Sequence, residues 1–460
     1  MRSTLGALRA LFSLGAMLGL AATARAETLT EAWVRAYLDN PALAAQRARL
    51  RATDEGVPQA LAGWRPTVQF TGSVGRAQES TKPSVFGSGA DNVAFTPRTL
   101  DLNLTQPVYT SGRTGAQVQE AEHTVLAQRA QTVAVEEQTL FNVAQAFLDV
   151  VRDQAVLDLN VNNVQVLQRQ LEAVNDQFRV GQVTRTDVAQ AESRLALATA
   201  DRQQAEGNLQ SSRASYVRVV GHAPDKLAAP KERPPLPATL PEATSLASGS
   251  NPNVLFADFA ARAGEDNVRA TRGLLGPQIS IVGDVNRQTD TVTLGRTVTE
   301  TSIIARMTVP LYEAGSVYSQ TRAAKQTVIQ LRDQLLDARN GAVQLATRDW
   351  EQIQSLRQRV VSLNSTIRAA EIALEGVQQE AQVGARTVLD VLNAEQELLT
   401  DRVNLVVAQH DLALAEFDLA LQVGRLTAAE LKLPVRHYDP EQHYKKVRTK
   451  WIGFGPKEQK

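Results

Sequence analysis

The chain has 460 residues, with 49 basic and 49 acidic side chains, a formal net charge of zero, 5% aromatic residues and no cysteine. A zero net charge gives no electrostatic reason to bind nucleic acid, and the lack of cysteine excludes disulfides, thiolate metal sites and a lipid-acylated cysteine. The length exceeds that of one ordinary domain, and Ala, Gln, Leu, Val and Arg dominate the middle of each half, a composition of long helices rather than of a mixed enzyme core.

Residues 1–26 read as a signal peptide: basic Arg2 and Arg9, an apolar run from Ala10 to Leu20, and the small-x-small form of Ala24-Arg25-Ala26. The apolar run is shorter than the roughly 20 residues of a spanning anchor. The mature chain is expected to begin near Glu27, and a first repeat is expected over 27–223. Within it, Thr30 to about Ala62 reads as helix, broken where Asn40 precedes Pro41. A β-hairpin is expected over 66–108. Val68, Phe70, Gly72 and Val74 alternate with Thr67, Gln69, Thr71 and Ser73, and Leu100, Leu102 and Leu104 alternate with Asp101, Asn103 and Thr105. The polar segment from about Ala77 to Arg98, with Gly87-Ser88-Gly89, reads as a long loop between them.

A helical hairpin over 112–221 follows. From Gly112 to about Arg179 no proline interrupts the chain, so one helix of roughly 65 residues would run about 100 Å. Its seam recurs at spacings of three and four through Val164, Leu167, Leu171, Val174 and Phe178. After the turn Val180-GQVTRT-Asp187 a shorter helix returns from Val188 to about Val220. The proline-rich stretch 224–250 reads as a non-helical linker.

A second repeat is expected over 251–433, because the chain contains most of itself twice. Pro107–Gly221 reads against Pro310–Gly424 at a constant shift of 203, carried by Tyr109/Tyr312, Gly112/Gly315, Gly181/Gly384, Asp187/Asp390 and Glu192/Glu395; Asn40-Pro41 to Arg76 matches Asn251-Pro252 to Arg287 at a shift of 211. This predicts a second β-hairpin over 277–310, with a polar loop from about Gln288 to Glu300, and a second helical hairpin over 315–424. The second seam runs through Leu356, Val360, Leu363, Ile367, Ala370, Leu374 and Val377. Residues 434–460 form a tail with Lys445, Lys446, Arg448 and Lys450 beside Trp451 and Phe454. Membrane or partner binding is open to it, and disorder is the expectation for a polar terminus.

Strands of about ten residues with one apolar and one polar face fit a transmembrane barrel or a small soluble sheet equally well. The long helical hairpins favour the barrel. Four strands cannot close one, since about eight are needed, and open edges facing lipid are prohibitively costly. Two chains would give eight strands and a filled lumen; three would give twelve and leave a pore.

The segments Leu104-TQPVYTSG and Val309-PLYEAGSVYSQ, the turns Phe178-RVGQVTRTDVAQAE and Ala381-QVGARTVLDVLNAE, the repeated Asn-Pro and the duplication itself resemble the TolC family of outer membrane factors, over the mature chain up to about Leu433. The resemblance implies an α+β membrane protein of the outer membrane with a large periplasmic portion. Each chain would give four transmembrane strands and two long helical hairpins to a homotrimer, with a 12-stranded barrel above a helical periplasmic barrel. It implies an export tunnel for type I protein secretion or small-molecule efflux, working with a periplasmic adaptor and an inner-membrane ABC exporter or proton-driven pump. The alternative is a periplasmic coiled-coil adaptor or scaffold. The strand loops are expected outside the cell, with Gly89 open to labelling.

No catalytic constellation is evident: the histidines share no metal spacing and no phosphate-binding glycine loop appears, so no enzymatic activity and no cofactor are expected. The resemblance places a periplasmic gate at the hairpin tips. Arg386 of the second turn would pair with Thr186 and Asp187 of the first, and Asp390 would belong to an acidic entrance ring whose second acid is replaced by Asn393. A family tyrosine of the gate falls on Ala381. The plainer reading of the acids is helix capping, since Thr184-x-x-Asp187 and Thr387-x-x-Asp390 have capping-box form. Gly181 and Gly384 are expected at positive φ in the turns.

Overall fold

The computed structural model describes residues 26–81, 91–228, 230, 232–291 and 295–455. The expected signal peptide, apart from Ala26, and Gly87, Ser88 and Gly89 lie outside the described residues. Helix α1 (Leu29–Asp39) opens on a capping box between Thr28 and Glu31. Asn40 ends it and caps α2 (Pro41–Asp54), accepting from the backbone N–H groups of Ala42 and Leu43. Pro41 at the first helical position has no N–H to lose there. The predicted helix breaks again at Glu55, giving a six-residue α3 (Gly56–Leu61).

The strands follow as β1 (Thr67–Val74), β2 (Ala77–Thr81), β3 (Asp91–Phe95) and β4 (Arg98–Tyr109). The first expected loop is therefore partly a two-stranded ribbon, β2 on β3. Helix α4 (Arg113–Arg179) has 67 residues and α5 (Arg185–Val220) returns along it. The stretch read as a non-helical linker contains a helix, α6 (Leu240–Ser250): Pro241 sits in its first turn, where proline is harmless, and Thr239 caps it. Then come α7 (Pro252–Arg272), β5 (Gln278–Thr289), β6 (Thr297–Thr308), α8 (Ser316–Gln382, again 67 residues), α9 (Val388–Gln422) and α10 (Glu441–Val447). Strands β5 and β6 have twelve residues each and pair to Thr289 and Thr297, so both ends of the second expected loop are strand. Period-two alternation is weak at these polar ends, which hid the extension.

The repeated Asn-Pro has the same physical role in both halves. Asn40 Nδ2 donates to the Val219 carbonyl at 3.2 Å, and Asn251 Nδ2 donates to the Gln422 carbonyl at 2.9 Å. Each asparagine caps the helix that follows it and ties that helix to the last turn of the returning long helix.

The two halves share one antiparallel sheet in the order β1-β4-β5-β6, joined across the repeat by β4 on β5. Its register aligns Phe70 with Leu102, Val285 and Thr301, and Val68 with Leu104, Gly283 and Ile303 on one face. The other face aligns Gln69 with Asn103, Asp284 and Ser302, and Thr71 with Asp101, Asn286 and Glu300. The apolar face is uncovered, and Val68, Phe70, Leu102, Ile303 and Met307 are all exposed. Neither β1 nor β6 has a second neighbour among the described residues.

The principal core lies midway along the long helices. There Trp33 of α1 packs edge-on against Phe417, donates from Nε1 to the Leu140 carbonyl at 2.9 Å, and shares one buried cluster with Leu140, Val143, Phe147, Tyr216 and Leu426. A second cluster joins α6, α8 and α9 through Ala247, Ala346, Leu419 and Val423. Helix α7 packs on α4 and α8, with Asp266 accepting from His123 Nδ1 at 2.6 Å and Glu265 from Arg332 at 2.7 Å.

The tail departs from the expected disorder. Residues 434–451 are held along the first repeat: His443 meets Asp54 at 3.0 Å, Arg448 meets Glu122 at 2.9 Å, and the Tyr438 N–H donates to the Tyr37 hydroxyl. Arg65 donates to the Lys450 carbonyl at 2.8 Å. Polar composition did not reveal these partners, all of them distant in sequence.

Candidate functional site

The far ends of the two helical hairpins are built alike. Helix α4 ends in a Schellman turn: Gly181 takes φ +80°, its N–H bonds to the Phe178 carbonyl, and the Gln182 N–H bonds to the Gln177 carbonyl. Gly384 does the same after α8 at φ +77°, with bonds to the Ala381 and Glu380 carbonyls. Both glycines are thus where the sequence placed them, in a conformation that a β-carbon disfavours.

The acids cap the returning helices. Asp187 Oδ2 accepts from the Thr184 N–H at 2.8 Å and the Thr184 hydroxyl at 2.7 Å, while Thr184 Oγ1 accepts from the Asp187 N–H. Asp390 repeats the box with Thr387 at 3.0 and 2.8 Å. The Thr184 hydroxyl and N–H hold the Asp187 carboxyl below its ordinary range, and the Thr387 N–H and hydroxyl do the same for Asp390. Both therefore carry negative charge at neutral pH. Helix capping and a charged tip are the same arrangement here.

Within one chain, Arg386 and Asp187 are not brought together. Arg386 donates from Nε to Glu380 Oε2 at 2.8 Å, across its own turn, and that bond raises its pKa. Thr186 is exposed on the first turn of α5, and Ala381 is half-buried at the end of α8. Asn393 does join the two hairpins: its Oδ1 accepts from Arg194 of α5 at 2.9 Å. Just behind it, Leu392 packs among Leu167, Ala191 and Ala198, with Val164 and Leu171 alongside. Most of the predicted seam is buried or half-buried in this way, but Phe178 is exposed at the tip.

Three residues of this end were not among the expected site residues. Glu380 and Arg194 sit in solvated polar positions that nothing local distinguishes. Glu395 is buried, and burial raises the pKa of its carboxyl. Its signal was legible, because it follows Val391 and Leu392 and precedes Leu398 in the three-four rhythm of a buried face, whereas its repeat partner Glu192 is exposed. No cluster of His, Asp and Glu suited to a metal occurs among the described residues.

A sequence model of the family described as "Outer membrane efflux protein" matches residues 33–222 and 243–425, one segment on each side of the proline-rich connection between the repeats. The chain is 34% identical to the outer membrane efflux protein BepC of Brucella suis biovar 1 (strain 1330), over 94% of this chain and 92% of the relative. It is 25% identical to the outer membrane protein TolC of Vibrio cholerae serotype O1, over 92% and 96% of the two chains. In three dimensions it resembles the CmeC outer membrane channel of Campylobacter jejuni, with a TM-score of 0.77 at 14% identity over 92% of this chain and 89% of the other.

Proposed function

The chain belongs to the outer membrane efflux protein family, and from that premise we propose that three copies close into one tunnel leading from the periplasm to the cell exterior. It is an outer membrane export channel with a large periplasmic portion. The alternative of a coiled-coil adaptor falls, because the family match spans both repeats with their strand pairs.

The observation that carries the trimer is the open four-stranded sheet. Unpaired amide and carbonyl groups along β1 and β6 cannot face lipid, so each edge must meet the other edge of a neighbouring copy. Three sheets give about twelve strands, the smallest closure above the filled eight-stranded barrel that leaves a pore. The apolar row of Val68, Phe70, Leu102 and Ile303 then faces lipid, and the row of Gln69, Asn103, Asp284 and Ser302 lines the lumen. The long helices make the same demand. Tyr318, Ile329, Leu336, Val361 and Ile372 are exposed on α8 and fall within roughly 20° of one line at 100° per residue, a stripe that only another copy can cover along its length.

The hairpin tips then form the periplasmic mouth. In the closed tunnel Arg386 pairs with Asp187 of a neighbouring hairpin, beside Thr186, and three copies of Asp390 set a cation preference. Asn393, joined to Arg194, steadies the two hairpins of one chain against each other. What supports this reading is the ready exchange it requires: the side chains of Arg386 and Glu380 are 51% and 53% exposed, so a change of partner involves little desolvation. A periplasmic adaptor and an inner-membrane ABC exporter or proton-driven pump complete the route, and the strand loops open outside. Planar-bilayer recording of the purified full chain tests the function: a stable, weakly cation-selective conductance is expected, and a protein that inserts without conducting refutes it.

A further inference from the structure

The tail is anchored so that its last described residues stand at the foot of the sheet. Arg65, two residues before β1, donates to the Lys450 carbonyl at 2.8 Å, and its guanidinium lies 5.0 Å from the centre of the Trp451 ring. On the same level are Trp64, whose carbonyl accepts from Gln106 of β4, and Tyr109, the last residue of β4, both of them exposed. Below this level the strap is tied by His443 to Asp54, by Arg448 to Glu122, and by the Tyr444 ring under Arg129.

Beyond the ties the chain turns apolar and outward. Trp451 is 66% exposed, Ile452 is 90% exposed and Phe454 is fully exposed, directly after the backbone tie at the Lys450 carbonyl. In water such a run is a liability. At a membrane surface the same residues gain by resting at the headgroup level, as aromatic girdles of barrels do. The nearby charge is cationic: among the described residues Lys446 and Lys450 have no acidic partner, and Arg65 bonds to a carbonyl and a ring.

We propose that residues 446–454 are a lipid-binding strap, in which Trp451, Ile452 and Phe454 enter the periplasmic leaflet of the outer membrane while Lys446, Lys450 and Arg65 hold anionic phospholipid headgroups. It rests on the reading of β1, β4, β5 and β6 as membrane wall, because that reading puts lipid beside Trp451. The strap has no counterpart in the second repeat, since all its ties are to residues of the first. It gives each copy one extra fixed point against tilting at the foot of the barrel.

The test uses the full channel in vesicles of phosphatidylethanolamine and phosphatidylglycerol with brominated acyl chains, comparing wild type with Trp451→Phe. The chain has four tryptophans, so the difference spectrum isolates Trp451. That component should be blue-shifted, quenched by the bromines and insensitive to aqueous acrylamide, and Lys446→Gln/Lys450→Gln should reduce its quenching when phosphatidylglycerol is present. A Trp451 component quenched only by acrylamide, or shielded from both quenchers by a neighbouring copy, overturns the inference. Phe70→Trp in the Trp451→Phe background separates the two levels: bromine quenching at position 70 without quenching at 451 sinks the strap and leaves the barrel, and quenching at neither sinks both.

Discussion

Glu137 tests how the two repeats are locked together. It is buried in the middle of α4, and its Oε1 accepts the Leu426 N–H at 3.3 Å, while neighbouring Glu136 accepts the Ala428 N–H at 2.9 Å. These two acids hold the segment that leaves α9. Burial is the main cause that pushes the Glu137 carboxyl from 4.5 up to about 8, and the Glu136 charge adds to it. When the segment opens, the carboxyl returns to its ordinary value, so the closed form binds more protons. The stability it contributes is complete below pH 4.5 and is lost as pH rises towards 8, by about 1.4 kcal/mol per pH unit. Between pH 5 and pH 7 that is about 3 kcal/mol, or roughly a hundredfold in the opening equilibrium. Glu137→Gln keeps an acceptor for Leu426 and removes the titration. Amide hydrogen exchange of the peptide containing Leu426 and Ala428, corrected for intrinsic rates, should lose roughly a hundredfold protection over that interval in wild type and much less in the variant. Identical profiles in the two proteins would refute the reasoning, since Glu137 would then be ionised in both forms or absent from the lock.

At the mouth, Arg386→Ser should raise single-channel conductance and sensitise cells to large antibiotics; unchanged conductance in that variant and in Arg386→Ser/Asp187→Ala would leave Asp187 a helix cap alone and Arg386 an exposed partner of Glu380. Asp390→Ala should lower the cation-to-anion permeability ratio without closing the pore, and an unchanged reversal potential in a salt gradient would count against the acidic ring. Gly221 and Gly424 are repeat equivalents at φ +97° and +72°, but a β-carbon on Gly221 meets open space, whereas one on Gly424 lies 2.7 Å from the Ser250 carbonyl oxygen. Gly221→Ala should therefore cost about 1–2 kcal/mol of left-handed strain and Gly424→Ala clearly more. Thermal loss of helical circular dichroism compares them, and equal shifts would contradict the packing at Ser250.

Much of this fold was legible because it is written in repeats and periods. The shift of 203 fixed both helical hairpins, uninterrupted chain from Gly112 to Arg179 fixed their length, and alternation fixed four strands. What stayed hidden depends on partners distant in sequence. Nothing near His443 or Arg448 indicates Asp54 or Glu122, so the tail read as disordered. Pro241 argued against helix by composition, yet it occupies the one turn where proline is tolerated. At the tips the capping acids followed from their spacing to Thr184 and Thr387, whereas the bond from Arg386 to Glu380 spans a turn whose geometry only the folded chain supplies.

Closure of the sheet between copies is the central claim, and the lack of any native cysteine makes it directly measurable. Single cysteines placed along β1, Thr67–Val74, and along β6, Thr297–Thr308, are to be combined in one chain and oxidised in the membrane, and the products sized on denaturing gels. Facing pairs should link each copy to the next and stop at a covalent trimer. Products that stop at a dimer, that extend beyond three chains, or that form only within one chain would contradict a barrel of three open sheets.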